Sequence, residues 1–429
     1  MTTDIYVLDG NLQTIGIIDS YKSLIWAERY SDIGDCEIYL PASTESLNLL
    51  SMGRYLFRSA TNMVCRIDKI ELTTDNEEGN YLIISGIDTK ALCDQRVVTK
   101  TMFCDGAVEV FMRKMITDTM IAPTNSSRKM KKDNGGVLVG LGTLAGLTEA
   151  LTAQVTWDNV GERIRAYCET YGLGYRFLLS SGLLNAEFYK GTDRHNSVIF
   201  SNEYENLAST DYTDDKTNMG NVAVVGGEGQ GSERTVTTYG TAEGIERYEI
   251  FVDSDSLSRS VTYSDLIEAY PDGTVYYNGN NYYYRLATLD APTFDAKHLA
   301  WLQTNYPGGS LVTVNGETYW RISNVSIAKV ESGTPEGSST ATLLNIIYLA
   351  NLLSSGQEAT KEFGEVKTFE GSIIPDVTFV YGTDYKLGDI VTVKNEYGIT
   401  SEARITEIVE VFDENGYSFE PSFKYMEVV

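Results

Sequence analysis

Histidine is nearly missing from this chain, with two in 429 residues, His195 and His298. They stand far apart in TDRHNS and DAKHLAW, neither in an H-E-x-x-H pattern nor beside a G-x-S-x-G turn, so neither zinc-peptidase nor serine-hydrolase chemistry finds its base there. Both read as ordinary structural or surface residues. Cysteine is sparse as well: Cys36, Cys65, Cys93, Cys104 and Cys168 show no C-x-x-C spacing and an odd count. Neither a zinc site nor a full disulfide framework is indicated, and assembly in a reducing cytoplasm fits best. Positive charge is the third shortage, 34 Lys and Arg against 60 Asp and Glu for a net charge of −26. Such a chain repels nucleic acid and anionic membrane.

No secretory signal opens the sequence, because MTTDIYVLDG has neither a basic start nor a long apolar stretch. The longest apolar run, GGVLVGLGTLAGL from Gly135 to Leu147, is too short to cross a bilayer and is diluted by glycine, so no membrane insertion is expected. It reads as a loop or a buried hairpin. Ahead of it RKMKKD, Arg128 to Asp133, is a local basic cluster in an acidic chain. A solvated loop accounts for it, and contact with phosphate or an acidic partner is the alternative.

One glycine-rich stretch raises the question of a nucleotide. VAVVGGEGQGSERTV, Val222 to Val236, runs from an apolar segment into Gly226, Gly227, Gly229 and Gly231. A dinucleotide fingerprint needs G-x-G-x-x-G before a helix whose N-terminus faces the pyrophosphate. Gly227 and Gly229 fit, but Ser232 holds the third place, and the β-branched residues that follow lack helical spacing. No Lys-Ser or Lys-Thr pair completes a Walker loop. The glycines read as turn positions between two strands, and no cofactor is expected. Metal ligation is not indicated either. The acidic stretches Asp211 to Asn218 and Phe412 to Tyr417 lack calcium-loop spacing and read as turns.

A chain of this length with 42% hydrophobic residues can bury several cores, and two to four domains are expected. Residues 1–104 carry short alternating runs separated by polar turns, the pattern of an antiparallel sheet or barrel. Residues 105–205 read as an α/β insert. Its first helix begins near Asp105 as cap, with Val108, Phe111, Met112, Met115 and Ile116 on one face. Its second runs from Asp158 to Tyr171, with Asp158 as cap and Gly172 ending it in the left-handed conformation. Residues 206–263 return to strands around the glycine loop. Residues 264–364 form a hairpin-rich and helical insert with two Asn-Gly turns, a helical stretch near Asp295 to Thr304, a linker from Glu331 to Thr340 and an apolar helix-like run after it. Residues 365–429 close the chain as a second barrel-like β unit. The fold class expected is mixed and mainly β (α+β), with several domains.

Read in order, certain pieces resemble a known family. They are DCEIYLP from Asp35, MVCRIDKIEL from Met63, YLIISGIDTKALCDQRVV from Tyr81 and FYKGTDRHNSVIFSNEYENL from Phe188. The glycine loop with GIERYEIFVDSDSL, and YKLGDIVTVKNEYGITSEARITEIVE from Tyr385, complete the set. Together they resemble the tail hub proteins of long-tailed siphophages, akin to baseplate hubs and to the hub part of type VI secretion spikes. The resemblance implies a ring-type hub in which two barrel-like domains mimic one another, so that a homotrimer presents six similar units and caps a sixfold tail tube. It places the protein in the virion at the tail tip, assembled in the host cytoplasm. The implied partners are copies of itself, the distal tail protein, the tail tube, the tape measure protein and tail-tip or fibre proteins, with DNA passing through but not bound specifically. Asn221 to Gly231 would then belong to the ring core. Gly388 and Asp389 would make the turn into a strand whose Ile390, Val391 and Val393 supply core.

Tyrosine is abundant, with 29 in all and a cluster at Tyr276, Tyr277, Tyr282, Tyr283 and Tyr284. Such a cluster is either a contact surface or a cross-strand aromatic ladder. Under the resemblance a contact surface would meet another tail protein. A structural, non-enzymatic hub is therefore the expected function. The alternatives are a tail-associated cell-wall hydrolase and a module that binds host sugar.

Overall fold

The computed structural model describes residues 4–75, 79–269, 274–277, 282–285, 310–314, 317–321, 327–330, 340–343, 345–374, 378–414 and 416–425. The opening alternation becomes seven strands: β1 (Ile5–Leu8), β2 (Thr14–Ile18), β3 (Ser23–Arg29), β4 (Asp35–Pro41), β5 (Tyr55–Arg58), β6 (Met63–Asp75) and β7 (Gly79–Asp88). Helix α1 (Thr44–Leu49) lies between β4 and β5. In β4 the period of two is plain, with Cys36, Ile38 and Leu40 buried and Asp35 and Glu37 exposed. Ser43 starts α1 by accepting from the Ser46 amide, while the Ser46 hydroxyl accepts from the Ser43 amide, so two otherwise unpaired amides are satisfied.

The next segment supplies β8 (Met102–Ala107), α2 (Val108–Ile116), β9 (Val139–Leu141), β10 (Ala150–Val155), α3 (Val160–Tyr171), β11 (Gly174–Ser180), β12 (Leu183–Tyr189) and β13 (Ile199–Ser201). The helical faces fall where spacing put them: Val108, Phe111, Met112, Met115 and Ile116 are buried, as are Val160, Ile164, Tyr167 and Cys168. Both expected caps are displaced. Asp105 lies inside β8, and α2 starts at Ala107 with no side-chain cap. For α3 the cap is Asn159, whose Oδ1 accepts from the amides of Gly161 and Glu162, while Asp158 pairs with Arg163 at 3.0 Å. Gly172 does end α3 at φ +65°. In the glycine-diluted run, β9 pairs parallel with β12, and the Glu109 carboxylate accepts from the amides of Ala145 and Leu147, 2.8 and 2.9 Å away.

The rest of the chain gives β14 (Leu207–Asp215), β15 (Val222–Gly226), β16 (Val236–Tyr239), β17 (Glu249–Asp253), β18 (Ser260–Thr262), α4 (Tyr263–Ala269), β19 (Thr274–Tyr277) and β20 (Tyr282–Arg285). There follow β21 (Ser310–Val314), β22 (Glu317–Arg321), β23 (Ile327–Val330), β24 (Thr340–Leu343), α5 (Asn345–Glu362), β25 (Val366–Ile373), β26 (Ile390–Lys394), β27 (Thr400–Asp413) and β28 (Gly416–Tyr425). The acidic stretch from Asp211 to Asp215 is thus strand, with a turn only beyond it, whereas Phe412 to Tyr417 is a hairpin turn pairing Asp413 with Gly416. The helical stretch expected near 295–304 and all of the linker expected over 331–340 except Thr340, which opens β24, lie outside the described residues.

Sixteen strands form one sheet in the order β14-β25-β28-β27-β3-β4-β7-β6-β11-β12-β9, with β1, β2, β5, β13 and β26 on side branches. This corrects the expectation of two barrel-like domains: among the described residues no sheet closes into a barrel. The reason lies in β27, which is fourteen residues long. It pairs β26 along its first part and both β28 and β3 along the rest, matching Glu410 with Trp26. The closing strands pair with one another, and β27 spends its remaining edge on β3 of the opening strands, so the two sets run on as one sheet. Buried clusters sit on this frame: one under α2 and α3, one around Trp26 and Ile38, and one around Phe200, Tyr385, Phe419 and Phe423. A fourth joins the β15–β17 sheet to α5 through Val225, Tyr348 and Leu352.

Candidate functional site

Where the first and last strands meet, charge is buried. Glu28 on β3 shares a face with Leu24 and Trp26, Glu410 on β27 shares one with Ile408 and Phe412, and all six residues are buried. Arg58, the last residue of β5, is buried between them. Its guanidinium bonds both oxygens of Glu410, one of them at 2.8 Å, and lies 3.9 Å from Glu28. The Tyr417 hydroxyl donates to Glu410 at 2.9 Å. Glu28 Oε1 has no hydrogen-bond partner, and burial pushes its carboxyl up to about 7, with Arg58 pulling the other way. The hydrogen-bonded Arg58–Glu410 pair ties an opening strand to a closing one, since an uncompensated buried charge costs several kcal/mol, while Glu28 lies beside it as a carboxyl that burial holds protonated more readily.

A second tie lies along the same junction. Tyr30 is buried, its ring covered at 5.3 Å by the Arg404 guanidinium, and its hydroxyl accepts from the Gly191 amide at 3.0 Å and lies 3.1 Å from the Gly172 carbonyl, to which it donates. Burial raises its pKa. Gly388 takes φ +93°, and a Cβ there would fall on the Tyr30 ring. Its carbonyl accepts from Arg404 at 2.6 Å. Beside it the buried Asp389 carboxylate accepts from the Thr192 amide at 2.7 Å, Arg194 Nε at 2.8 Å and the Lys386 amide at 3.0 Å. Val391 and Val393 then enter the core, while Ile390 faces the other side of β26 and is half-buried.

The glycine loop lies elsewhere, on the three-stranded sheet β16-β15-β17. Gly226 ends β15, and Gly227 faces the Tyr348 hydroxyl and Leu352 of α5. Gly229 at φ +110° and Gly231 at φ +53° lie in the connection, which re-enters strand at β16 after one short turn. Arg234 donates to the carbonyls of Gly227 and Gly226 at 3.0 and 2.9 Å and pairs with Asp253. With no helix opening after the glycines, and the arginine bound to the loop's carbonyls and to a carboxylate, no cradle of amides faces an anion.

The tyrosine cluster falls on paired backbone: Tyr276 stands opposite Tyr283, Tyr277 opposite Tyr282 and Val275 opposite Tyr284. The side chains of these five tyrosines lie outside the described residues. His195 Nδ1 is 2.6 Å from Asp193 and Nε2 3.7 Å from Glu402, and the Asp193 carboxylate raises its pKa. His298 lies outside the described residues. Among the described residues no group of three His, Cys, Asp or Glu side chains is arranged to hold a metal, and no helix is long and apolar enough to cross a membrane.

Reading motifs missed Glu28, Arg58, Glu410 and Tyr30. For the first three a signal existed, since the period of two in SLIWAER, YLFR and ITEIVEVFD puts each charged residue on the face carrying its strand's core residues.

A family model described as Siphovirus ReqiPepy6 Gp37-like protein matches residues 4–423. No curated protein matches the chain. Among solved structures it is similar to the 43 kDa tail protein of prophage MuSo2 from Shewanella oneidensis, with 10% identity, a TM-score of 0.49 and 98% of each chain covered. It is similar also to a tail protein from Neisseria meningitidis MC58, with 12% identity, a TM-score of 0.48, and 99% of this chain and 97% of that one covered. A third is the E. coli c3393 protein, a component of the type VI secretion system that exhibits structural similarity to T4 bacteriophage tail proteins gp27 and gp5. There the identity is 8%, the TM-score 0.35, and the cover 95% of this chain and 74% of that one.

Proposed function

The chain belongs to the Siphovirus ReqiPepy6 Gp37-like protein family, and from that premise we propose that it is a structural hub of a phage tail. Three copies form a ring that caps the tail tube at its tip and joins it to the distal tail protein, the tape measure protein and the tip or fibre proteins. DNA leaves through the channel without being held. The observation that carries this reading is the single sheet in which β3 and β27 pair, tied by the buried Arg58–Glu410 pair. A ring wall must transmit force between neighbours without opening, and hydrogen-bonded strands clamped by buried ion pairs serve that end. The charge balance supports it too: at −26 per chain, a lining poor in Lys and Arg is easy to supply, and each phosphate bound by a cation would add affinity that slows passage.

Light scattering across protein concentration, with electron microscopy of the assembled particles, tests the proposal. Three times the chain mass of 47.6 kDa and a ring outline are expected. A stable dimer, or a lumen lined by basic side chains, sinks it. A peptidoglycan zymogram and a host-adsorption assay with free protein separate it from a hydrolase and from a sugar-binding module, since a hub does neither.

A further inference from the structure

Two paired strands carry the chain out of the large sheet and back into it. β14 and β25, at one end of that sheet, run side by side from Leu207 opposite Ile373 to Asp215 opposite Val366. Just beyond them the Gly220 amide donates to the Phe363 carbonyl. Between these crossings lie β15–β17 and α5, joined by the apolar cluster of Ala223, Val225, Leu257, Tyr348 and Leu352, which holds no residue of α3 or β10. The cluster under α2 and α3 in turn holds no residue of α5 or of β15–β17. Among the described residues these two cores therefore stay separate, although α5 packs against both α3 and β10. Bodies that meet without a large apolar contact move relative to one another.

Charge and polar groups fill the contact instead. Arg163 of α3 pairs with Asp158 at 3.0 Å and with Glu358 of α5. A cleft of about 250 Å³ lies where α5 meets α3 and β10, and three of its lining side chains end in buried atoms without a hydrogen-bond partner: Gln154 Oε1, Tyr167 Oη and Asn351 Nδ2. A wider cleft of about 660 Å³ shares Arg163 and Glu358 in its wall. Such a contact lacks the close packing of a protein interior, and it carries a desolvation cost, because each unpaired atom would bond water if bared. A second link, from α4 to the opposite body, pairs Lys100 with Asp265 at 3.2 Å and Lys114 with Glu268 at 3.5 Å. Both lysines and Glu268 are exposed, so these pairs add little.

We propose that residues 221–362 form an arm with two positions. In one it is docked, as here, by the Arg163–Glu358 pair. In the other it swings out about the crossings at 216–220 and 363–365, and Gln154, Tyr167 and Asn351 gain hydrogen bonds to water. Lys216 and Glu365 pair at 3.2 Å across these crossings and hold the pivot together. The arm belongs to a single copy, so its movement does not require a ring. A neighbour that binds the bared face of α3 and β10 would hold it out.

Substitutions of opposite sign test the arm. Glu358→Gln removes the charge that holds it, while Asp158 stays on Arg163, and is expected to raise the ratio of swung-out to docked molecules about tenfold. Tyr167→Phe with Asn351→Leu removes two unpaired polar groups at nearly constant shape, and is expected to lower that ratio about tenfold when added to Glu358→Gln. Spin labels on Met52→Cys and Ile245→Cys, at sites 59% and 90% exposed and on opposite bodies, read the two positions as a shorter and a longer distance. The five native cysteines are buried and stay unlabelled. Thermal melts check that each variant folds. If Glu358→Gln does not fold, the double change is made in the wild type, where a ratio it fails to lower counts against the arm. One short distance in every chain, a long-distance fraction that Glu358→Gln leaves unchanged, or one that the added double change fails to lower overturns the proposal and leaves the ring reading standing.

Discussion

Arg58 and Glu410 lie 352 residues apart in sequence and meet through two hydrogen bonds in the dry seam between β5 and β27. Removing one partner of a buried pair leaves a charge without compensation, at about 3 to 5 kcal/mol. Glu28 stands 3.9 Å from the same guanidinium, so Glu410→Gln keeps a substitute partner. We expect it to cost about 3 kcal/mol, and Arg58→Met more, because the latter leaves two buried carboxylates facing each other. Urea unfolding measures both. Variants as stable as the wild type would deny the junction its clamp.

Glu28 adds a pH dependence of fixed sign. Its folded carboxyl titrates at about 7, chiefly through burial, against an ordinary 4.5. Below pH 4.5 both folded and unfolded chains hold the proton. Between 4.5 and 7 the unfolded chain releases it first, so the folded state binds more protons and stability falls as pH rises. Above 7 the loss is complete, on the order of 3 kcal/mol. Glu28→Gln removes this slope and should gain on the wild type between pH 5 and pH 8. Denaturant midpoints that run parallel for the two chains across that range would contradict the assignment.

Gly388 and Gly398 separate strain from crowding. Both have positive φ, +93° and +82°, but a Cβ at Gly388 meets the Tyr30 ring whereas one at Gly398 meets open space. Gly398→Ala is expected to cost about 1 kcal/mol from backbone strain alone, and Gly388→Ala about 3 because the Tyr30 ring must shift as well. Thermal melts compare them. Equal losses would show that Tyr30 gives way freely.

What the sequence made legible follows from range. The alternation of β4, the apolar faces of α2 and α3 and the left-handed Gly172 depend on neighbours a few residues away, so periodicity and spacing reach them. The Asn159 cap was missed by one place, because Asp158 and Asn159 are both good caps and only the partner, Arg163, decides between them. The open sheet was not legible. Whether β27 closes a barrel or pairs with β3 depends on strands hundreds of residues apart, and no local pattern records that choice. Glu28 and Glu410 were readable as charges on a core face, but not as partners of one arginine.

The glycine loop yields the last prediction. Gly227 packs on Tyr348, whose hydroxyl accepts from the Glu228 amide, and on Leu352, so a larger side chain there pushes α5 off the β15–β17 sheet. Gly229 is closed in by the Glu233 carbonyl and the Arg234 Cα at φ +110°, where a β-branched side chain is excluded twice over, by conformation and by contact. Gly227→Val and Gly229→Val should therefore each cost about 3 kcal/mol or more, with the loss seen in folding and assembly. A phosphate-binding loop would behave differently, because the same substitutions would abolish ligand binding while the free protein stayed largely intact. Calorimetric titration with ATP and with NAD is accordingly expected to show no heat of binding at micromolar concentration. Measured heat with either ligand, or Val variants that fold and assemble like the wild type, would return this loop to the class of sites its glycines first suggest.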